Sequence, residues 1–188
     1  MIAIFVAQFF GSSKAHLNPV VTLFFAVLEN NYSFIYFIIP QLLGAFLGSI
    51  LVWIFYCSHY KDTKDTGTVQ ATFFTSPAIN DKLFNFLSEF MATIILVIGI
   101  VAINKQPLSP GLSPFLVGIL VWAIGLSLGG ATGYAINPAR DLGPRIGYWL
   151  IFNKDRDNAH WKYAWIPIFA PLLAAFISAL VLKSLQIY

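Results

Sequence analysis

The chain has 188 residues, of which 58% are hydrophobic and 10% charged, with a formal net charge of +3. An ordinary soluble domain carries roughly 45 to 50% apolar and about 25% charged residues, so a soluble globular fold is excluded and one integral membrane bundle is indicated. The small, scattered positive excess offers no nucleic-acid surface. A lone Cys57 cannot form an internal disulfide, and His16, His59 and His160 lie far apart with no Cys/His spacing, so no metal site is expected.

Taken in order, the chain opens with an apolar run from Met1 to Phe10 that lacks a basic leader and so does not read as a cleavable signal. It then reaches Ala15-His16-Leu17-Asn18-Pro19-Val20, where an Asn suited to cap a helix precedes a Pro suited to its first turn. The run from Pro19 to Leu28 would extend about 15 Å as a helix, half of the roughly 30 Å hydrocarbon layer. A full span is predicted over Phe34 to Tyr56, and its Gly44 and Gly48 have the Gly-x-x-x-Gly spacing of a close helix crossing. A connecting loop over residues 57–83 follows, with charges at Lys61 to Asp65 and at Asp81-Lys82.

The second half repeats this order. Spans are predicted over Phe84 to Ile103 and over Pro114 to Leu128, the latter with a small-residue extension to Ala131 and a second Gly-x-x-x-Gly at Gly125 and Gly129. Glu89 lies inside the first of these, where an unpaired carboxylate is costly. Next comes Gly133-Tyr134-Ala135-Ile136-Asn137-Pro138-Ala139-Arg140-Asp141, again an Asn-Pro helix start, followed by a run from Pro138 to about Trp149 that is too short to cross. After the charged stretch from Lys154 to Lys162, a last span is predicted over Ala164 to Leu182. Trp53, Trp149, Trp161, Tyr163 and Trp165 stand near span ends, the place of an aromatic belt.

Short apolar segments at matching places in two halves mark an inverted repeat with its site at the midplane. The reading is one transmembrane domain over residues 1–188: a partial first repeat at 1–56, the connecting loop at 57–83 and a second repeat at 84–188. Pairing the halves leaves about one and a half helices of the second without a counterpart in the first. Half-helices entering from opposite faces bring together two N-termini, each equivalent to about half a positive charge. There the amides of Asn18 and Asn137 offer donors, and the irregular backbone of Ala15 to Leu17 and Gly133 to Ile136 offers carbonyl acceptors. Non-helical backbone is tolerable at that depth only beside protein or a water-filled cavity. The arrangement describes a pore that passes neutral hydroxylated molecules in single file and resists protons and cations.

The stretches Ala15-His16-Leu17-Asn18-Pro19-Val20-Val21-Thr22 and Gly133 to Arg145 resemble the paired motifs of the aquaporin superfamily, and the Arg140-Asp141 pair resembles its glycerol facilitator (aquaglyceroporin) branch. The resemblance implies an all-α, aquaporin-like inverted-repeat bundle with two Asn-Pro half-helices, N-terminally truncated by the first helix and part of the second. It implies a multi-pass protein of the cell membrane, a homotetramer in the lipid bilayer with no cofactor and no nucleic-acid partner. By position it makes Arg140 the selectivity-filter arginine and Tyr134 the filter's aromatic residue. Gly125 stands where strict water channels carry His, which widens the filter toward a polyol. Pro19 and Pro138 open the half-helices, Asp141 marks the branch, and Glu89 corresponds to a buried glutamate that braces a half-helix loop. His16 contributes its backbone carbonyl rather than its ring. Val20 departs from the usual Ala of the first motif, and the filter residue of the second helix would fall before Met1.

The expected function is a passive channel for glycerol, other small neutral polyols and water. The same wide filter could instead serve water or another small neutral solute such as urea, dihydroxyacetone or lactic acid, and a truncated chain could be an inactive remnant. Ion-coupled transporters also use broken helices, but Glu89 alone is thin support for an ion site. No paired carboxylates and no nucleophile with a base suggest an enzyme.

Overall fold

The computed structural model describes residues 1–11, 15–152 and 159–187, and all regular structure among them is helical. Of the charged stretch from Lys154 to Lys162, residues 154–158 lie outside the described residues. The first helix, α1 (Ile2–Phe9), is followed by the half-helix α2 (Pro19–Leu28). Asn18 caps α2 by accepting from the Val20 amide at 2.9 Å, and Pro19 sits where a missing N–H costs nothing. The predicted span over Phe34 to Tyr56 begins as a 3-10 helix, Tyr32–Phe37, and becomes α-helical only in α3 (Ile38–Phe55), whose first turn holds Pro40.

Residues 57–83 are more than a connecting loop. They contain α4 (Cys57–Asp62) and α5 (Thr66–Ala71), the latter capped by Asp65 through the Thr68 amide at 2.7 Å, and then a buried stretch, Phe73 to Thr75. The long α6 (Lys82–Asn104) starts on Asp81, which accepts from the Leu83 and Phe84 amides. The next helix, α7 (Leu112–Thr132), is bracketed by Gly111 and Gly133, both left-handed, a conformation that costs glycine little. The second half-helix, α8 (Pro138–Phe152), runs three residues past the expected end because Tyr148 and Phe152 are buried against Tyr60 and Phe73. The chain closes with α9 (Ile166–Ser184). With the 3-10 stretch and α3 taken together, four helical segments among the described residues are long and apolar enough to cross a membrane, and α2 is a shorter apolar one.

Packing exchanges the half-helices between the two halves. The first, α2, lies on α9, while α8 lies on α3, and α6 joins α7 to α9. The main core forms around α2, where Phe24 and Val20 meet Leu96, Val97, Ile124 and Ala179. Small residues of α9, including Ala170, Ala174, Ala175 and Ser178, are buried and let the neighbouring helices approach.

The glycine spacings do different work from that predicted. At Gly44 and Gly48 a Cβ would meet nothing within 4 Å, so the predicted crossing on that face of α3 does not occur within the described residues. The crossing of α3 with α8 instead uses Gly143 and Gly147 of α8 against Ala45, Phe46 and Ser49. A Cβ on Gly143 would lie 2.8 Å from the Ala45 Cβ and 2.9 Å from the Phe46 backbone nitrogen. Gly143→Val is therefore expected to destabilise the protein by about 1–3 kcal/mol through overpacking, read as a lower melting temperature in detergent, whereas Gly44→Ala should leave that temperature unchanged.

Candidate functional site

The two half-helix starts are joined by their cap residues. Asn18 Nδ2 donates to the Ile136 carbonyl at 2.8 Å, and Asn137 Nδ2 donates to the Leu17 carbonyl at 3.1 Å. Each Asn uses its Oδ1 on its own helix: Asn18 takes the Val20 amide, and Asn137 takes those of Ala139 and Arg140 at 3.0 and 3.2 Å. One amide thus caps its own helix and ties down the loop before the other. The loops carry matching strain, because Ala15 and Tyr134, at corresponding positions, both adopt positive φ, as does Ile136. Non-glycine residues rarely hold that conformation unless the surroundings fix it.

Those surroundings are visible. Glu89 of α6 is fully buried and accepts from the Ala135 and Ile136 amides at 2.9 and 2.8 Å and from Thr132 Oγ1 at 2.6 Å. A carboxylate meeting three donors is the way a charge is held away from water. In the first half the holding group is Gln41 of α3, whose Nε2 donates to the His16 carbonyl at 2.5 Å and to Thr22 Oγ1 at 2.9 Å. The His16 ring packs among Phe25, Phe34 and Phe37, so the residue offers its carbonyl to the site's frame and its ring to the core. Pro19 and Pro138 are both buried at the first helical positions.

A half-open cavity of about 940 Å³ runs past this junction. Its lining includes polar groups, Asn18, Asn137, Arg140 and the two loops before the half-helices, and apolar ones, Leu96, Ile100, Val117 and Val121. Tyr134 and Arg140 line it together. The Tyr134 ring lies across the two glycines of α7: a Cβ on Gly125 would be 2.8 Å from its Cζ, and one on Gly129 would be 2.8 Å from its Cδ1. These glycines therefore seat an aromatic ring rather than a neighbouring helix, and Gly125 sits behind Tyr134 instead of on the cavity wall.

Arg140 is half-buried, and its Nη1 donates to the Phe73 carbonyl at 3.3 Å. Among the described residues it has no carboxylate partner, because the neighbouring Asp141 pairs with Arg145 at 2.7 Å, one turn on. Arg145, Thr75 and Gln41 were not singled out from the sequence. A second Arg four residues after Asp141, and a Gln within an apolar span, are the signals that point to two of them; Thr75 has no local signal. Tyr163 is buried beside Arg145, 6.0 Å from ring centroid to guanidinium, and so is not a belt anchor.

Two capped half-helices butted together at their N-termini, beside a lumen lined by both polar and apolar groups, define a membrane channel. The profile of the family described as Major intrinsic protein matches residues 1–182. The chain belongs to the major intrinsic protein family; it is a multi-pass integral membrane channel with an aquaporin fold, and not an enzyme.

Similar proteins include glycerol uptake facilitator protein 3 of Lactiplantibacillus plantarum, 44% identical over 92% of this chain and 73% of that protein. The glycerol uptake facilitator protein of Streptococcus pneumoniae is 44% identical over 96% of this chain and 79% of its own length. Among solved structures, the aquaglyceroporin from Plasmodium falciparum superposes with a TM-score of 0.83 at 26% identity, covering 97% of this chain and 76% of that one.

Replacing Glu89 tests the frame of the site. Glu89→Ala leaves two backbone amides and a hydroxyl buried without acceptors, at about 1–3 kcal/mol each, and is expected to lower the melting temperature in detergent more than any single cavity-lining substitution. Glu89→Gln keeps one acceptor oxygen and should fall between Ala and wild type.

Proposed function

We propose that the chain conducts glycerol and other small neutral polyols down their gradient, and passes water by the same path. The observation that carries this reading is the pairing of the Tyr134 ring, seated on Gly125 and Gly129, with the Arg140 guanidinium on one cavity. A polyol has hydroxyls along one edge and carbon along the other. In this reading Arg140 donates to the hydroxyls while Tyr134 and the apolar lining groups receive the carbon edge. Asn18 and Asn137 then hand the molecule across the junction through their amide donors.

Cations are opposed there by the positive ends of α2 and α8 together with Arg140. Pro19 and Pro138 start the two half-helices, Glu89 and Asp141 act behind the lumen, and His16 serves through its backbone carbonyl. The relatives named for glycerol uptake support the solute class. The same reading takes residues 1–56 and 84–188 as two repeats of one domain, joined by 57–83. It also takes the assembly to be a homotetramer with one pore per chain, in line with the broad apolar surfaces of α3 and α7.

Proteoliposomes test it by light scattering under a glycerol gradient. The protein should admit glycerol far faster than empty vesicles do, and Arg140→Trp should abolish the difference; influx no faster than in empty vesicles overturns the assignment. Gly125→His should displace the Tyr134 ring, since even its Cβ would crowd that ring. The glycerol-to-water permeability ratio is expected to fall by about tenfold or more, the scale on which a lost steric fit acts.

A further inference from the structure

Two arginines of α8 lean on one short stretch of chain. Arg140 Nη1 donates to the Phe73 carbonyl at 3.3 Å, and Arg145 Nη2 donates to the Thr75 carbonyl at 2.9 Å. The stretch is held in turn by Asp141, whose Oδ2 accepts from the Thr75 amide at 2.9 Å and from Thr75 Oγ1 at 2.7 Å. Arg145 completes the set: its Nε donates to Asp141 Oδ1 at 2.8 Å, its Nη1 donates to the Ala159 carbonyl at 2.6 Å, and its guanidinium stands 4.2 Å from the Phe74 ring centroid. Asp141 and Arg145 are wholly buried and Thr75 nearly so, and only Arg140 reaches the cavity.

A buried ion pair is by itself weak evidence for stability, since desolvation offsets most of the attraction. Its location is informative here. Arg140 is a long side chain facing an open lumen, and among the described residues its head has one protein acceptor, the Phe73 carbonyl. A single hydrogen bond orients such a side chain only if the acceptor is itself immobile. The Phe73 carbonyl lies two residues from Thr75, and Thr75 is fixed through its amide, its hydroxyl and its carbonyl at once.

The first half provides an internal comparison. With Asn18 aligned to Asn137, Val21 corresponds to Arg140 and Thr22 to Asp141, and the brace there includes the Gln41 amide. The ion-paired clamp is present in the half that has a guanidinium to aim.

We infer that Thr75 and Arg145 are positioning residues for Arg140: the Asp141–Thr75–Arg145 clamp fixes the Phe73 carbonyl, and that carbonyl sets the direction of the filter guanidinium. Selectivity is thus set in part by residues that never touch the solute. This rests on the proposed filter role of Arg140.

The test compares Thr75→Val, which keeps the shape and removes the hydroxyl donor, with Thr75→Ser, which keeps the donor. Glycerol and water permeabilities are measured in proteoliposomes at matched protein content. Thr75→Val should lower the glycerol-to-water ratio by about three- to tenfold, the weight of one orienting hydrogen bond, and Thr75→Ser should restore the wild-type ratio. A Thr75→Val ratio equal to wild type overturns the inference, as does a loss of both permeabilities in equal proportion, which marks a purely structural brace. If Thr75→Val does not insert, Arg145→Lys decides by the same ratio, because Lys cannot reproduce the fork. Failure of the glycerol reading itself is seen separately, in wild-type vesicles that admit no glycerol.

Discussion

Bare backbone at the depth of the hydrocarbon is the constraint on which the rest of this structure depends. A half-helix leaves its first amides, and the irregular chain before it, without partners, and lipid offers none. Two such ends are placed against each other, so that Asn18 serves the loop before α8 and Asn137 serves the loop before α2. What cannot be met across the junction is met from behind, by Glu89 in one half and Gln41 in the other. The lumen is the space that Asn18, Asn137 and Arg140 line beside this junction.

Meeting that constraint shapes the lumen. Strained residues at Tyr134 and Ile136 persist because Glu89 holds the amides around them. The same fixed turn carries the Tyr134 side chain onto α7, where two missing Cβ atoms leave room for its ring. The aromatic wall of the lumen is therefore a consequence of loop bracing as much as of the identity of residue 134. Arg140 follows one turn later, directed by the chain between α5 and α6 rather than by its neighbour in sequence.

Much of this was legible in the sequence, for identifiable reasons. Asn-Pro pairs and short apolar runs depend only on capping chemistry and on the thickness of a membrane, so α2 and α8 could be placed from them. Glu89 was conspicuous because a carboxylate in an apolar span must be satisfied by something. The glycine spacings were ambiguous, since a missing Cβ admits a helix, a ring or nothing: Gly143 and Gly147 admit α3, Gly125 and Gly129 admit Tyr134, and Gly44 and Gly48 face open space. In sequence, residues 57–83 resemble a connection because their polarity hides the buried stretch at Phe73 to Thr75. The partners of that stretch, Asp141 and Arg145, are distant in sequence, and no local pattern announces such a contact.

The exchange of half-helices between the halves has a consequence for how the protein is made. Because α2 beds on α9 as well as on the 3-10 segment that follows it, its seat is complete only once α9 has been made. Lys183, near the end of α9, donates to the Val27 carbonyl and to Asn30, so α9 also holds the far end of α2. The bed of the first half-helix is thereby completed after the second half-helix has been made. A chain synthesised only as far as α7 holds one half-helix with no opposing one, and the mutual capping by Asn18 and Asn137 waits for α8.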